Sequence, residues 1–313
     1  MAQPVRVVQL SDTHFGGPSA GESREGPGAR DPAETLDAVF DDILSKRLTP
    51  DVVVVTGDLA NHGTADAYRA LGERLARVGL PVHCLAGNHD FVEPLEANLS
   101  RAGVSLDRTA RFDDWLFLFL DTNAAARVAD ASGQLHDAPN RVLRANRGLL
   151  SATELTWVAE VLSGSDARNV MVWMHHPPLS PPGHHGLDRA AFTDPLFDAL
   201  ERDPRVRGIG AGHIHAFYEC QRSGIRVFSC PSTWLTFDVD AEVIGPPGYL
   251  SYVLFPSGDI EVTVHVVDDR RYAEPAPLPP FVGRMLRGEI DLDRLEEMSL
   301  EDLLAQSRRG GLG

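Results

Sequence analysis

The sequence has little cysteine and no long apolar stretch, and each shortage argues against a class of protein. Its three cysteines, Cys84, Cys220 and Cys230, stand apart and form no CxxC pair. An odd, sparse set predicts free thiols in a reducing compartment rather than a disulfide framework. No apolar run reaches the roughly 18–20 residues that a membrane-spanning helix needs. The first residues, MAQPVRVVQLSD, lack the pattern of a signal peptide, so we expect a cytoplasmic protein without membrane contact.

Positive charge is also scarce. The 313 residues include 45 Asp and Glu against 29 Lys and Arg, a formal net charge of -16. Such a surface disfavours non-specific binding of nucleic acid, and we expect no nucleic-acid partner. An anionic substrate would therefore need a site of locally reversed charge, which points to bound metal ions.

Five short apolar runs end at glycine or polar residues and predict buried strands. Helical patterns over Pro32–Lys46 and Thr64–Val78 separate the first three runs. This alternation predicts an α/β fold with a largely parallel sheet, in which ligands lie beyond the carboxyl ends of the strands. The predicted strands are Val5–Leu10, Val52–Thr56, Pro81–Ala86, Asn169–Met174 and Val206–Ala211.

Carboxylate, amide and imidazole side chains follow each predicted strand. In extended chain, residues two apart point to one side, so Asp12 can converge with His14, and His213 with His215. A glycine directly before Asp58, and others before Asn88 and His213, allow sharp turns and a close approach of the backbone. Carboxylates mixed with imidazoles suit manganese, iron or zinc. With one histidine of the pair His175-His176, which follows the fourth strand, these make seven donors. Seven donors exceed the need of one ion, so the pattern predicts two ions that share a carboxylate.

The charges of such a site favour an anionic ester. Two divalent ions bring four positive charges, Asp12 and Asp58 remove two, and a bridging hydroxide removes a third. The remaining positive charge attracts a phosphate ester in spite of the acidic protein. Two neighbouring metals can also activate a water molecule and hold the phosphoryl oxygens.

Taken in order, five segments resemble the motifs of the calcineurin-like metallophosphoesterase superfamily: Asp12-Thr13-His14, Gly57-Asp58, Gly87-Asn88-His89-Asp90, His175-His176 and Gly212-His213-Ile214-His215. The resemblance implies a four-layer αββα sandwich, with two mixed sheets flanked by helices. It also implies two transition-metal ions, manganese or iron first and zinc as an alternative.

The resemblance assigns roles residue by residue. Asp12, His14 and His215 would bind one metal; Asn88, His175 and His213 would bind the second; Asp58 would bridge them. His176 remains an alternative to His175. His89 would be catalytic, contacting phosphate or protonating the leaving oxygen, while Asp90 would orient His89 or cap a helix over Phe91–Ser100.

The pattern is most similar to bacterial class III cyclic-nucleotide phosphodiesterases and the glycerophosphodiesterases near them. Phosphoprotein phosphatases of the superfamily read GDxVDRG, whereas this chain reads GDLANHG and lacks the Asp-Arg pair. The resemblance implies a metal-dependent phosphoric diester hydrolase in which a metal-bridging hydroxide attacks a small-molecule phosphodiester, with 3′,5′-cAMP as the first candidate. A glycerophosphodiesterase is the alternative, followed by a phosphomonoesterase or nuclease, and last by a non-catalytic binding scaffold. Similar proteins are often dimeric, so we expect a homo-oligomer.

Two further features concern the surroundings of the site. The proline-rich stretch after residue 274 divides a catalytic domain, 1–274, from a C-terminal extension, 275–313, whose acidic helix Glu289–Gln306 we expect to pack on the body or a partner subunit. Near the motifs, Asn61 and His62 are candidates for the pocket rim, with a position that has no role in the chemistry as the alternative for His62. His184-His185 are interpreted as solvated or rim residues, with a substrate lid as the alternative. Trp234 and Phe237 are interpreted as packing residues, with stacking on a base as the alternative.

Overall fold

A computed structural model describes residues 3–17, 30–129, 132, 134–138, 146, 148–180, 192–238, 240–278, 283–284 and 289. In chain order, strands β1 to β16 are Val5–Leu10, Val52–Thr56, Val82–Leu85, Thr109–Phe112, Trp115–Phe119, Arg127–Ala129, Leu135–Asp137, Asn169–Trp173, Val206–Ala211, Tyr218–Arg222, Ile225–Ser229, Thr236–Asp238, Val243–Gly245, Gly248–Leu254, Ile260–Val266 and Ala276–Pro277. Helices α1 to α5 are Pro32–Ser45, Ala65–Ala76, Val92–Leu99, Ala152–Gly164 and Thr193–Leu200.

Two mixed sheets form the centre of the molecule. The first has the order β15-β14-β1-β2-β3, with β1, β2 and β3 parallel and β14 antiparallel to β1. The second has the order β10-β11-β9-β8-β5-β4, in which the four central strands are parallel. Parallel strands in both sheets therefore direct their carboxyl ends toward loops that can share a site.

Apolar side chains on both faces of each sheet build the layers. Large aromatic residues such as Trp173 and Tyr252 fill the space between the sheets. On the outer face of the first sheet, α1 and α2 contribute Leu36 and Leu71, and on that of the second, α4 contributes Val158. The order helix, sheet, sheet, helix confirms the predicted four-layer α/β sandwich.

The ends of the predicted elements shift by one or two residues. Strand β3 begins at Val82 rather than Pro81, because proline has no N–H to donate to the ladder. Helix α1 begins at Pro32, where the Asp31 side chain accepts a hydrogen bond from the N–H of Ala33. An aspartate cap followed by proline is a typical helix start. None of the helices in the described ranges has the length and apolarity that a membrane crossing requires.

A small third sheet, β12-β13-β16, lies beside the loops of the main sheets. Its strand Ala276–Pro277 pairs with β13, so the chain contributes to this sheet beyond residue 274. The division into 1–274 and 275–313 stays a prediction. Except for Glu289, the expected helix Glu289–Gln306 lies outside the described residues, as does the pair His184-His185.

Candidate metal centre

The candidate site lies where the turns after five parallel strands meet. Strands β1, β2 and β3 come from the first sheet, and β8 and β9 from the second. Hydrogen bonds join the two sets of turns: the N–H of His213 donates to Asp12 Oδ1 at 3.1 Å, and His175 Nδ1 donates to the Thr56 carbonyl at 2.8 Å. The nine residues to which the sequence analysis gave a role in the site all lie in this region.

One half of the site contains Asp12, His14 and His215, and we call it the β1 half. Donor atoms of these three residues all lie within 4.8 Å of one another. His14 Nε2 is 3.2 Å from His215 Nε2, which is 3.4 Å from Asp12 Oδ1. The three side chains are buried, so their donor atoms face one another rather than solvent.

The other half contains Asn88, His175 and His213, and we call it the β8 half. His175 Nε2 lies 3.0 Å from Asn88 Oδ1. The rings of His175 and His213 are 5.1 Å apart, and their donor atoms form a group with one from His176 within 4.8 Å. His176 Nδ1 is hydrogen-bonded to Thr122 Oγ1 at 2.7 Å.

Asp58 lies between the halves. One carboxylate oxygen is 3.6 Å from His14 Nε2 and the other is 3.3 Å from His175 Nε2. The same carboxylate accepts a hydrogen bond from the N–H of His89 at 2.9 Å. Its two oxygens therefore face both groups of donors, the arrangement that a shared ligand requires.

Backbone conformation is strained at these positions. Among the described residues, nine other than glycine have positive φ, and five of the nine belong to the site: Asp12, His14, Asp58, His213 and His215. Each such conformation costs on the order of 1–3 kcal/mol and persists where surrounding contacts enforce it. Strain concentrated in one cluster is typical of a functional site.

Two glycines permit the close packing of the turns. A Cβ at Gly87 would collide with the carboxylate of Asp58, and a Cβ at Gly212 would collide with the side chain of Ser11. Any larger residue at either position would push the donor-bearing turns apart, so these glycines are where the backbone approaches the site, as predicted.

Hydrogen bonds fix which nitrogen of each ring faces the site. His175 Nδ1 donates to the Thr56 carbonyl and His215 Nδ1 to the Leu235 carbonyl, at 2.8 Å each. His14 Nδ1 is 3.0 Å from Asn61 Oδ1. Because a carbonyl only accepts, these bonds place a proton on Nδ1, so in the neutral ring it is the Nε2 lone pair that points toward the cluster. Such outer contacts are typical of metal-binding histidines.

Electrostatics support the same interpretation. Burial, and then His89, lower the pKa of His14 to about 3; burial, and then His175, lower the pKa of His213 to about 3. Both rings are therefore neutral. Burial opposes charge on His175, but the Asp58 carboxylate outweighs it and raises the pKa to about 9. In the absence of a cation, the carboxylates thus draw a proton onto a neighbouring ring.

The donor set fits two metal ions. Two carboxylates, four imidazoles and one amide oxygen converge with their lone pairs in a buried region. Oxygen and imidazole nitrogen together suit manganese, iron and zinc. Groups of side chains that could hold an ion lie on both sides of Asp58.

Comparison with known proteins agrees with this geometry. A family model described as calcineurin-like phosphoesterase matches residues 5–217. The chain belongs to this family. The predicted family, and with it a metal-dependent phosphoesterase with two metal ions, are confirmed.

Relatives in this family resemble the chain over most of its length. The 3′,5′-cyclic adenosine monophosphate phosphodiesterase CpdA of Escherichia coli (strain K12) is 28% identical over 276 residues, 86% of this chain and 92% of that protein. A 3′,5′-cyclic-nucleotide phosphodiesterase of Nostoc sp. is 27% identical over 82% of this chain and 90% of that protein. A dimetal phosphatase from Danio rerio has the same fold, with a TM-score of 0.60 at 16% identity, over 85% of this chain and 100% of that one.

Asp90 has contacts that the sequence analysis did not anticipate. Its carboxylate accepts hydrogen bonds from the N–H groups of Leu59, Ala60 and Gly87 and from the Tyr68 hydroxyl, at 2.8–3.0 Å. The interpretation of Asp90 as a helix cap is wrong, because α3 has Phe91 at its N-cap and no side-chain cap bond. Among its described contacts there is also none with the His89 ring. Asp90 joins the turns after β2 and β3, and so positions Asp58 and Asn88.

The residue that orients His89 is Asn61. Its carbonyl accepts a hydrogen bond from His89 Nδ1 at 3.0 Å, while its side chain contacts His14 and, at 3.0 Å, His62 Nε2. Sequence reasoning placed Asn61 and His62 at the rim but did not predict this link. Every residue has a backbone carbonyl, so a contact made through one cannot be predicted from the residue type.

Two aromatic residues also proved closer to the site than expected. Phe237 stacks on His215, with ring centroids 4.8 Å apart and planes inclined by 16°, and Trp234 lies 5.2 Å from His14. Both are packing residues, as the sequence indicated, and they pack against the two histidines of the β1 half.

Proposed function

We propose that this phosphoesterase is a dinuclear-metal phosphodiesterase that hydrolyses a 3′,5′-cyclic nucleotide, with cAMP as the first substrate to test. The observation that carries the proposal is the Asp58 carboxylate, which faces buried donor groups on both sides. The choice of substrate draws on the relatives, since two of them bear names of cyclic-nucleotide phosphodiesterases. A glycerophosphodiester is the alternative substrate.

The proposed ligands follow the two halves of the site. The β1 half would hold one ion and the β8 half the second, and Asp58 would be shared by both. We assign His175 rather than His176 to the β8 half, because His175 Nε2 faces both Asp58 Oδ1 and Asn88 Oδ1. Manganese or iron is proposed for both positions, with zinc as the alternative.

Two bound ions would supply positive charge for the phosphoryl oxygens and lower the pKa of a water molecule to near neutrality. The chain supplies the rest. His89 Nδ1 donates to the Asn61 carbonyl, so Nε2 is the nitrogen left for the substrate. In the imidazolium form, with a proton on each nitrogen, Nε2 would donate its proton to the leaving alkoxide as the ester bond breaks and return to the neutral ring. The ring centroid of His89 lies 4.7 Å from that of His14, so this donor stands beside the proposed metals.

The direct test is hydrolysis by manganese-loaded protein. Bis-p-nitrophenyl phosphate, p-nitrophenyl phosphate and 3′,5′-cAMP are compared with and without a chelator. We expect chelator-sensitive cleavage of the diester and of cAMP, with little turnover of the monoester. Faster cleavage of the monoester than of the diester would contradict the assignment as a diesterase. If protein that holds two ions cleaved none of the three substrates, the proposal that it catalyses their hydrolysis would be wrong.

A His89→Ala variant separates chemistry from metal binding. It should hold both ions and cleave the diester about 100-fold more slowly, within the usual range for loss of a general acid. An undiminished rate would remove His89 from the mechanism.

Three expectations about the surroundings stand as proposals: a homo-oligomer, a cytoplasmic location, and packing of the extension 275–313 on the body or a partner. Light scattering of the full chain and of a chain ending at residue 278 would test the first and third together. The shorter chain keeps strand Ala276–Pro277, which pairs with β13.

A further inference from the structure

A polar cluster lies beneath the metal centre in an otherwise apolar interior. Its members are Gln9, Ser11, Thr56 and Tyr252, and we call it the Gln9 network. Their exposed fractions are 0% for the first three and 1% for Tyr252. Surrounding side chains are apolar or aromatic, including Trp173, whose ring is 5.5 Å from that of Tyr252.

The Gln9 side chain joins both sheets. Its Nε2 donates to Thr56 Oγ1 in β2 at 2.9 Å and to the Ala211 carbonyl at the end of β9 at 3.0 Å. Its Oε1 accepts a hydrogen bond from the Tyr252 hydroxyl in β14 at 2.5 Å. Both amide protons and the amide oxygen are therefore bonded, and one side chain connects β1 with β2, β14 and β9.

Two of these contacts, with Thr56 and with the Ala211 carbonyl, reach segments that carry proposed metal ligands. Thr56 precedes Asp58 by two residues, and its carbonyl accepts the bond from His175 Nδ1. Thr56 Oγ1 is also 2.8 Å from Ser11 Oγ, next to Asp12. Ala211 precedes His213 by two residues. The network thus links the turns of the β1 half, the β8 half and Asp58.

Stability alone does not account for a buried glutamine here. Replacing buried polar groups by apolar ones of similar volume is often neutral or stabilising, because burial removes the polar groups from water. Gly210 leaves space for the Trp173 ring beside this side chain: a Cβ there would collide with Trp173 and would lie 3.3 Å from Gln9 Oε1. What a fully bonded amide adds is a fixed distance between the strand ends that it joins.

We propose that Gln9 is a positioning residue that sets the spacing of the ligand-bearing strand ends, and that Tyr252 holds its amide in the required orientation. The proposal rests on the proposed metal centre. Gln9 contacts neither substrate nor metal, and acts through Thr56, Ser11 and the Ala211 carbonyl.

The test measures metal binding in metal-free full-length protein titrated with manganese. Gln9→Met keeps the side-chain length and removes the hydrogen bonds, and Tyr252→Phe removes only the hydroxyl. We expect Gln9→Met to weaken manganese binding by about 10- to 100-fold, the range for loss of an outer partner of a metal ligand. Tyr252→Phe should weaken it less, and the metal-free variants should keep the circular dichroism of the wild type.

Tyr249→Phe is the matched control. Tyr249 lies on the same strand, is fully buried, and donates from its hydroxyl to Asp42 at 2.8 Å, outside the network. Its variant should lose stability and keep the wild-type manganese affinity.

Wild-type affinity in Gln9→Met or, if that variant does not fold, in Tyr252→Phe would overturn the inference. Equal loss of affinity in Tyr249→Phe would also overturn it, because removal of any buried tyrosine hydroxyl on this strand would then weaken manganese binding. Wild-type protein that binds no manganese would overturn the proposed centre itself, which is a separate result.

Discussion

The two halves of the proposed metal centre are supported in different ways. In the β8 half, the His175 ring is held by the carbonyl of Thr56 in a central strand and is 0% exposed. In the β1 half, His215 is held by the carbonyl of Leu235 and by the Phe237 ring, and both residues lie in or beside the small third sheet. His14 depends on the side chain of Asn61. The His175 ring is thus held from a strand of the main sheets, whereas both histidines of the β1 half are held by residues outside those strands.

This difference has a consequence for metal binding. Ligands fixed by central strands lose little freedom when an ion binds, so more of the interaction appears as affinity. Ligands that depend on a peripheral sheet retain more freedom in the metal-free protein. We therefore expect the β8 half to bind its ion more tightly, and the two ions to dissociate at different chelator concentrations.

The largest expected effect is at Asp58, where the halves meet. Asp58→Asn removes the negative charge that faces both, so we expect both ions to bind more weakly by more than about 100-fold, the upper end for an outer partner. Manganese titration and diester hydrolysis measure the loss. Asp51→Asn, at the other end of β2, is the control; its carboxylate accepts a hydrogen bond from the N–H of Arg6 at 2.7 Å. Retention of one tightly bound ion in Asp58→Asn would assign Asp58 to a single half.

A smaller effect is expected at Asn61. In Asn61→Ala the backbone carbonyl that orients His89 remains, while the side-chain bond to His14 is lost. We expect the weaker ion to bind about 10-fold less tightly and the tighter ion to be unchanged. Asn98→Ala, which loses a side-chain bond to Pro94 in α3, should change neither. Equal weakening of both ions would break the distinction between the halves.

Phe237 gives a still smaller effect, in the same half. Phe237→Ala leaves the bond between His215 and Leu235 but removes the ring stacked on the imidazole, so we expect less than about 10-fold weaker binding of the weaker ion. Phe237→Leu preserves apolar packing, so its affinity for the weaker ion should lie between those of Phe237→Ala and the wild type. A shift in the tighter ion instead would show that the third sheet supports the other half.

The sequence predicted the main strands, the layered fold and the clustering of donors because these depend on local pattern. Apolar runs such as Val52–Thr56 fix strands, and a parallel sheet brings the residues after them together. It did not predict the partners of Asp90, the carbonyl contacts of Thr56, Asn61 and Leu235, or the stacking of Phe237. These depend on how distant segments meet, and a backbone carbonyl is the same in every residue.

A histidine outside the centre sharpens the comparison, because stacking alone does not make a metal site. His265 stacks on Tyr249 with centroids 4.6 Å apart and planes inclined by 10°, much as His215 stacks on Phe237. Against burial, which lowers it, the Asp12 carboxylate raises the pKa of His215. For His265, burial and then Lys46 lower the pKa below its ordinary value.

The lowered pKa of His265 has a definite sign in stability. The unfolded chain binds a proton to this residue near pH 6.5, before the native state does, so the contribution of His265 to wild-type stability falls as the pH drops below about 6.5. His265→Gln removes the stacking on Tyr249, so at alkaline pH we expect it to lower the free energy of unfolding by about 1 kcal/mol. The difference from the wild type should shrink progressively toward about pH 5. Urea unfolding of the metal-free wild type and variant across this range measures the difference in their free energies of unfolding. The other histidines are present in both proteins, so their titration cancels in this difference. A difference that stays constant with pH would contradict the lowered pKa, and a change in manganese affinity would show that the centre extends to this strand.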